Sequence, residues 1–201
     1  MISSSDVIRL REIMPPHASA GDEPGSFGGL LPLGVTSLPS DYLEFMRIYG
    51  GGAIDDALVV AVPKASSGAG VPPIDIFEMT SDARLMWDRE TSEDLGLESS
   101  SGILSWGITS SSDILCWDAS LDDPDSWPVV VFNRGRASWR RYECGMVKFV
   151  VGIFCREFDD IPIGEVSLWG NASPRFLNWR EEIRLFESGI SPWTGRPIPS
   201  F

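Results

Sequence analysis

Histidine and cysteine are scarce in this chain of 201 residues, which excludes several kinds of site. The single histidine is His17, so no site with two or three histidine ligands can form within one chain. A Ser-His-Asp triad would have to use His17 beside Pro15-Pro16 and a Gly/Ser/Pro-rich stretch, a poor place to hold a general base in fixed geometry. The cysteines, Cys116, Cys144 and Cys155, are odd in number and form no Cys-x-x-Cys motif, which is typical of reduced, packed thiols.

Basic residues are also few. Lys and Arg number 16 against 29 Asp and Glu, which gives a formal net charge of −13. Nucleic-acid binders neutralise phosphates with Lys and Arg, so this balance argues against nucleic acid as a partner and equally against an anionic membrane. It is compatible with a basic protein partner.

Long apolar runs are absent as well. No stretch approaches the roughly 20 apolar residues of a membrane helix, and the N-terminus has no apolar run of signal-peptide length. We therefore expect a cytoplasmic protein with no membrane partner. Hydrophobic residues still make up 43% of the chain, enough apolar material for one sizeable core.

The motifs of common enzymes are missing. There is no Gly-x-x-x-x-Gly-Lys-[Ser/Thr] phosphate loop and no Gly-x-Ser-x-Gly nucleophile elbow. Asp118, Asp122, Asp123 and Asp125 superficially resemble calcium ligands but lack the glycine and distal glutamate of that loop. Adjacent acids such as Asp55-Asp56 could do acid–base work, although such pairs in turns more often face solvent. We therefore predict no enzyme activity, no cofactor and no metal.

Hydrophobic spacing predicts helices early and late, with antiparallel strands between them. The predicted helices lie within 7–13, 37–52, 81–97 and 174–188. The predicted strands lie at 57–62, 74–78, 103–108, 113–118, 127–132 and 136–142, while 146–154 fits a strand or a helix. This order predicts the α+β class, a single domain whose central antiparallel sheet of about five to six strands is packed by helices. We expect an N-terminal helix and flexible segment at 1–29, the domain at 30–189 and a surface tail at 190–201.

The C-terminal region carries two specific expectations. In the helix at 174–188, Ser173 is the expected cap and Pro174 the first helical residue. Its expected buried stripe consists of Phe176, Trp179, Ile183 and Phe186. Trp193 lies outside regular structure, where it either anchors the tail to the body or is a hot spot for a partner.

The acidic residues are concentrated in one segment. Residues 75–125 contain 13 acids and two bases, a net charge of −11, whereas the other 150 residues carry only −2. One interpretation is a solvated face that keeps the protein dispersed. The other is an electrostatic docking surface for a cationic protein, which raises association rate and selectivity more than affinity.

Several motifs resemble one family. Leu38-Pro-Ser-Asp-Tyr-Leu-Glu-Phe-Met-Arg-Ile-Tyr-Gly-Gly-Gly52 resembles the second-helix signature of the SUKH superfamily, also called the Smi/Knr family. Trp106-Gly-Ile-Thr followed by Asp113-Ile-Leu-Cys-Trp-Asp118 resembles the family's hairpin, and Trp127-Pro-Val-Val-Val131 its next strand. Ser-Pro-Trp-Thr-Gly at 191–195 resembles the endings of actinobacterial members. The likeness covers roughly residues 30–195, and the acid-rich insert at 82–98 departs from the family core.

The resemblance implies an α+β fold and a non-enzymatic role of the bacterial immunity-protein type. Many such members bind and neutralise a polymorphic toxin, often a nuclease, while others are regulatory scaffolds that bind proteins. We expect a cognate, basic toxin domain as the partner, covered by an acidic surface, with a regulatory scaffold as the alternative. The candidate partner-binding residues are Asp55, Asp56, Asp88, Glu90, Glu93, Asp94, Asp122, Asp123 and Asp125.

Overall fold

A seven-stranded antiparallel sheet with helices on both faces forms the framework of the protein. The computed structural model describes residues 5–18, 20–21, 35, 37–63, 74–89 and 99–199. The predicted α+β class with a central antiparallel sheet is confirmed. The sheet exceeds the expected five to six strands because two three-residue strands join one side of it.

The elements follow the chain in a simple order. The helices are α1 (Ser5–Ile13), α2 (Ser40–Ile48), α3 (Ile76–Arg89), α4 (Met146–Cys155) and α5 (Trp179–Glu187). The strands are β1 (Gly52–Ile54), β2 (Leu58–Val60), β3 (Ile103–Thr109), β4 (Ile114–Asp118), β5 (Val129–Asn133), β6 (Ser138–Tyr142) and β7 (Phe176–Asn178). Short 3-10 turns occupy Ser100–Gly102, Pro124–Ser126 and Val166–Leu168.

The strand order is β6-β5-β4-β3-β2-β1-β7, and its register separates two ends of the sheet. The hairpin turns at 55–57, 110–113 and 134–137 all lie at one end, which we call the turn end. The loop at 119–128, between β4 and β5, lies at the opposite end, which we call the loop end. The end that a residue occupies decides which other surface side chains lie near it.

Alternation along the strands produces two cores. Leu104, Trp106, Leu115 and Trp117 face the larger core, together with buried residues of α1, α2 and α4. The neighbouring strand positions face the other side and pack with α3, where the rings of Trp87 and Trp139 lie 5.1 Å apart. Strands covered on both faces explain why the sequence shows apolar runs rather than strict alternation.

Residues 146–154, which fit a strand or a helix, form α4. The residue before this helix is Gly145, which has no side chain to cap the first turn. Asp41 of α2 does so instead, since its Oδ2 accepts a hydrogen bond of 3.0 Å from the backbone N–H of Val147. Burial raises the pKa of Asp41, partly offset by this bond and by one from Tyr42. The cap therefore joins two helices that are distant in sequence.

The strand predicted at 74–78 is wrong. Asp75 makes a single bridge to Val62, and its Oδ1 accepts a hydrogen bond of 2.9 Å from the backbone N–H of Glu78. This carboxylate satisfies a donor of the first helical turn, so α3 begins at Ile76. The helix predicted from residue 81 is correct in type but begins five residues earlier.

The helix predicted at 174–188 is wrong in its first part. Phe176–Asn178 form β7, which pairs with β1, and α5 begins only at Trp179. Asn178 is the cap, accepting a hydrogen bond of 2.9 Å from the backbone N–H of Glu181. The predicted stripe is divided accordingly, because Phe176 is buried in the core whereas Phe186 is 64% exposed. The free edge of β1 offers backbone partners that local helical spacing cannot reveal.

The position of His17 predicts a pH-dependent stability. Its Nε2 accepts a hydrogen bond of 3.4 Å from the backbone N–H of Asn178 on β7. Burial lowers the pKa of His17 below its ordinary 6.5, against a smaller opposing effect of Glu181. The unfolded chain therefore binds more protons, so the free energy of unfolding should fall as the pH drops below about 6.5.

Urea denaturation of the wild type and His17→Gln at about pH 7.5 and about pH 5.5 measures this effect. Glutamine keeps an acceptor but does not titrate, so the variant should lose less stability between the two conditions. An equal loss in both proteins would contradict the prediction.

Candidate functional site

The β4–β5 loop at the loop end contains three of the predicted partner-binding acids and has a fixed conformation. The indole of Trp127 is buried, and its Nε1 donates a hydrogen bond of 2.7 Å to the carbonyl of Leu121. Asp123 caps the 3-10 turn, accepting from the backbone N–H of Asp125 and from the hydroxyl of Ser126, each at 3.1 Å. The loop is therefore held by its own side chains.

Asp125 ties this loop to α2. Its Oδ1 accepts a hydrogen bond of 2.6 Å from the backbone N–H of Ser40, the first residue of the helix. The preceding residue, Pro39, supplies no side-chain cap, so a carboxylate from a distant loop performs that task. Asp123 and Asp125 thus have structural partners already.

Asp122 differs from these two neighbours. It is exposed, and the described part of the chain provides it with neither a hydrogen bond nor an ion pair. Leu121 beside it is 44% exposed. The loop therefore presents an unpaired carboxylate and an apolar side chain on a rigid support. The sequence did not identify Leu121 as a candidate contact residue, because a single leucine among acids belongs to no hydrophobic pattern.

Asp55 and Asp56 lie at the turn end, away from the β4–β5 loop. Both have left-handed backbones, with φ of 50° and 58°. Asp55 accepts hydrogen bonds from Asn171 Nδ2 at 2.8 Å and from the backbone N–H of Arg175 at 3.0 Å, so it fastens the turn to the segment before β7. Asp56 is exposed. Asp55 and Asp56 are therefore not continuous with the predicted acids of the β4–β5 loop.

The remaining predicted residues lie on or after α3. Asp88 is exposed and shares a helix flank with Arg84, four residues earlier. Arg84 donates to the carbonyls of Ser101 and Ile103, at the start of β3, so this flank faces the loop end. Glu90, Glu93 and Asp94 lie outside the described residues.

Two other acids of the 75–125 segment are buried. Asp118 is paired with Arg141 at 2.5 Å, and its side chain is 3% exposed. Asp113 is fully buried and accepts hydrogen bonds from three segments of the chain. The acidic charge of the sequence is thus partly internal, and the solvent-facing acids occupy separate places.

The described residues offer little for metal or thiol chemistry. Among the described residues, no three His, Cys, Asp or Glu side chains are grouped to hold a metal ion. Burial raises the pKa of Cys116 to about 12 and that of Cys144 to about 11. Both thiols are therefore protonated near neutral pH, which makes them poor nucleophiles.

Trp193 packs against the body of the protein. The guanidinium of Arg175 lies 5.3 Å from the centre of its ring, and Arg175 also donates to the carbonyl of Pro192. The indole Nε1 donates to Glu182 Oε1 of α5 at 3.3 Å. These contacts favour the interpretation of Trp193 as an anchor of the C-terminal tail.

Comparisons with known proteins leave the family open. No family model, no curated protein and no solved structure matches this chain. Within the ranges that the structure describes, no helix has both the length and the apolar character needed to cross a membrane.

The cap made by Asp125 predicts a measurable difference from Asp122. Asp125→Ala removes the acceptor for the N–H of Ser40 and should lower the free energy of unfolding by about 1 kcal/mol. Asp122→Ala, its matched control, removes an exposed charge and should change it by less than about 0.5 kcal/mol. Urea denaturation measures both, and equal effects would show that Asp125 is not a cap.

Proposed function

We propose that this protein is an immunity protein that binds a cognate toxin domain and neutralises it by covering its basic surface. A nuclease toxin is the best match, because a nuclease must present a cationic cleft to its phosphate substrate. The motifs at 38–52, 106–118 and 127–131, which resemble the SUKH superfamily, support this role. The proposal needs no catalytic residue, cofactor or metal.

The observation that carries the proposal is the rigid acidic β4–β5 loop. Trp127, Asp123 and Asp125 hold it in place by hydrogen bonds, while Asp122 and Leu121 point outward. A loop that is already ordered loses little conformational entropy on binding. The net charge of −13 attracts a basic partner over a distance, and the exposed leucine can then be buried in the contact.

Protection of cells tests the function. The genes beside this one are first searched for a small toxin domain, whose absence would count against the proposal; the domain found there is then produced in cells with and without the protein, and growth is compared. We expect growth only when the protein is present, together with co-purification of the two chains. A regulatory scaffold, the alternative, would give no protection, and that result would overturn the proposal.

Variants then test the loop. Asp122→Lys and Leu121→Ser leave the internal hydrogen bonds of the loop intact, and each should weaken toxin binding at least about fivefold. Asp122→Lys should also reduce the salt dependence of the association rate. Asp56→Lys, an equal charge change at the turn end, is the matched control. If both loop variants still protect cells and bind the toxin with unchanged affinity, the β4–β5 loop is not the toxin-binding site.

A further inference from the structure

An apolar groove opens at the turn end, between α3 and the ends of β3 and β4. It encloses about 270 Å³, and Met86, Ile108 and Ile114 supply its apolar lining. Leu85 stands at its rim with 56% of its surface exposed. Single exposed leucines are common on proteins. Here the leucine adjoins an apolar groove, which is the arrangement expected of a contact site.

Charge is distributed unevenly around this groove. Asp82 lines the α3 wall, and Glu78, four residues earlier, lies exposed on the same flank of the helix. The helix also carries two bases, Arg84 and Arg89. Arg84 reaches the opposite flank, where it donates to the carbonyl of Ser101, and Arg89 is the last residue of α3. Among the described residues that line the groove, Asp82 is the charged side chain that α3 contributes, so this wall is acidic where it borders the groove.

The opposite wall carries one basic residue. Arg134, in the turn between β5 and β6, lines the groove, with its Nη1 3.7 Å from the Sδ of Met86. A guanidinium in this position can donate to a backbone carbonyl of a bound segment. The turn containing Asp56 lies beside the β3–β4 turn, since Ser110 N–H donates to the carbonyl of Ala57 at 2.8 Å. This end of the sheet thus adds a further acidic side chain nearby.

We propose that this groove docks a cationic segment of another protein, which inserts one apolar side chain beside Leu85 and places a lysine or arginine against Asp82 and Glu78. The acidic wall and the net charge of −13 favour a basic partner and disfavour a second copy, which carries the same charge. The site is separate from the proposed toxin-binding loop, because the two lie at opposite ends of the strands. It does not depend on the toxin assignment.

A peptide titration followed by NMR tests the proposal with the full chain. The probe is acetyl-Lys-Arg-Leu-Lys-Arg-amide, compared with the peptide in which serine replaces leucine. We expect amide shifts of the ¹⁵N-labelled protein to centre on Leu85, Met86, Ile108 and Ile114. The serine peptide should bind about tenfold more weakly, because burying one leucine side chain is worth about that factor or more.

Matched variants locate the contacts. Leu85→Ser and Asp82→Asn should each lower the affinity of the protein for the leucine peptide at least about threefold. The controls are Phe186→Ser, a similarly exposed apolar residue on α5, and Asp88→Asn, an acid on the other flank of α3. Unchanged thermal unfolding of all four variants shows that each remains folded.

Three outcomes of the peptide titration would overturn the proposal. They are the absence of groove shifts at millimolar peptide, shifts that centre on Asp122, and equal binding of the two peptides. Shifts of the same groove amides on raising the protein concentration without peptide would identify a second copy as the occupant, and would also overturn the cationic partner.

Discussion

Asp113→Ala is expected to lower the free energy of unfolding by about 3–5 kcal/mol. The carboxylate is fully buried and accepts hydrogen bonds from the hydroxyl of Thr109 at 2.8 Å and from the backbone N–H groups of Arg134 at 2.9 Å and Gly164 at 2.7 Å. Alanine would remove the acceptor of all three donors, of which the Thr109 hydroxyl is buried and the two N–H groups are part-buried, and each lost partner costs about 1–3 kcal/mol before relaxation. Urea denaturation measures the loss.

Two matched variants distinguish this network from a general effect of charge. Asp113→Asn keeps one acceptor oxygen and should cost clearly less than alanine. Asp56→Asn, which removes an exposed charge at the same end of the sheet and keeps a side chain that tolerates the left-handed backbone of this position, should change stability by less than about 0.5 kcal/mol. A loss below about 1 kcal/mol for Asp113→Ala would contradict the role of this residue as the clamp of three segments.

Trp117→Ala should have an effect of similar size, about 3–5 kcal/mol, for a different reason. The indole is fully buried in the larger core, with ring centres 5.2 Å from Tyr42, 6.1 Å from Trp106 and 6.3 Å from Trp127. Truncation would leave a cavity lined by rigid aromatic rings that cannot collapse readily. Urea denaturation again provides the measurement, followed by circular dichroism because the variant also loses a fluorophore.

The conservative variant sharpens this test. The Nε1 of Trp117 is buried and finds no hydrogen-bond partner among the described residues, so Trp117→Phe removes this donor as well as some volume. Trp117→Phe should lower the free energy of unfolding by well under half of the loss caused by Trp117→Ala. Trp193→Ala is the surface control, expected to cost about 1 kcal/mol because it removes a partly exposed ring that contacts Arg175 and Glu182. Similar losses for Trp117→Ala and Trp193→Ala would contradict the assignment of Trp117 to the core.

The acidic charge of the chain is visible in the sequence, but its distribution over the surface is not. Residues 75–125 carry a net charge of −11, and this total follows from composition alone. Composition does not separate Asp118, which neutralises Arg141 inside the fold, from Asp122, which faces solvent. Nor does composition show which acids lie at the loop end of the sheet and which lie at the turn end. The two docking proposals therefore rest on side chains chosen by their exposure and place in the fold.

Local signals in the chain account for the elements that were predicted correctly. The helix at α2, the hairpin of β3 and β4, and strands β5 and β6 all follow from hydrophobic spacing and turn residues within a few positions. Tertiary contacts decided the rest. Phe176–Asn178 form a strand because they pair with the edge of β1 that faces away from β2. The helix α4 is capped by Asp41 from α2. The groove beside Leu85 forms where α3 packs against the ends of β3 and β4. Hydrophobic periodicity reports on a few neighbouring residues, whereas strand pairing and burial depend on residues brought together from distant parts of the sequence.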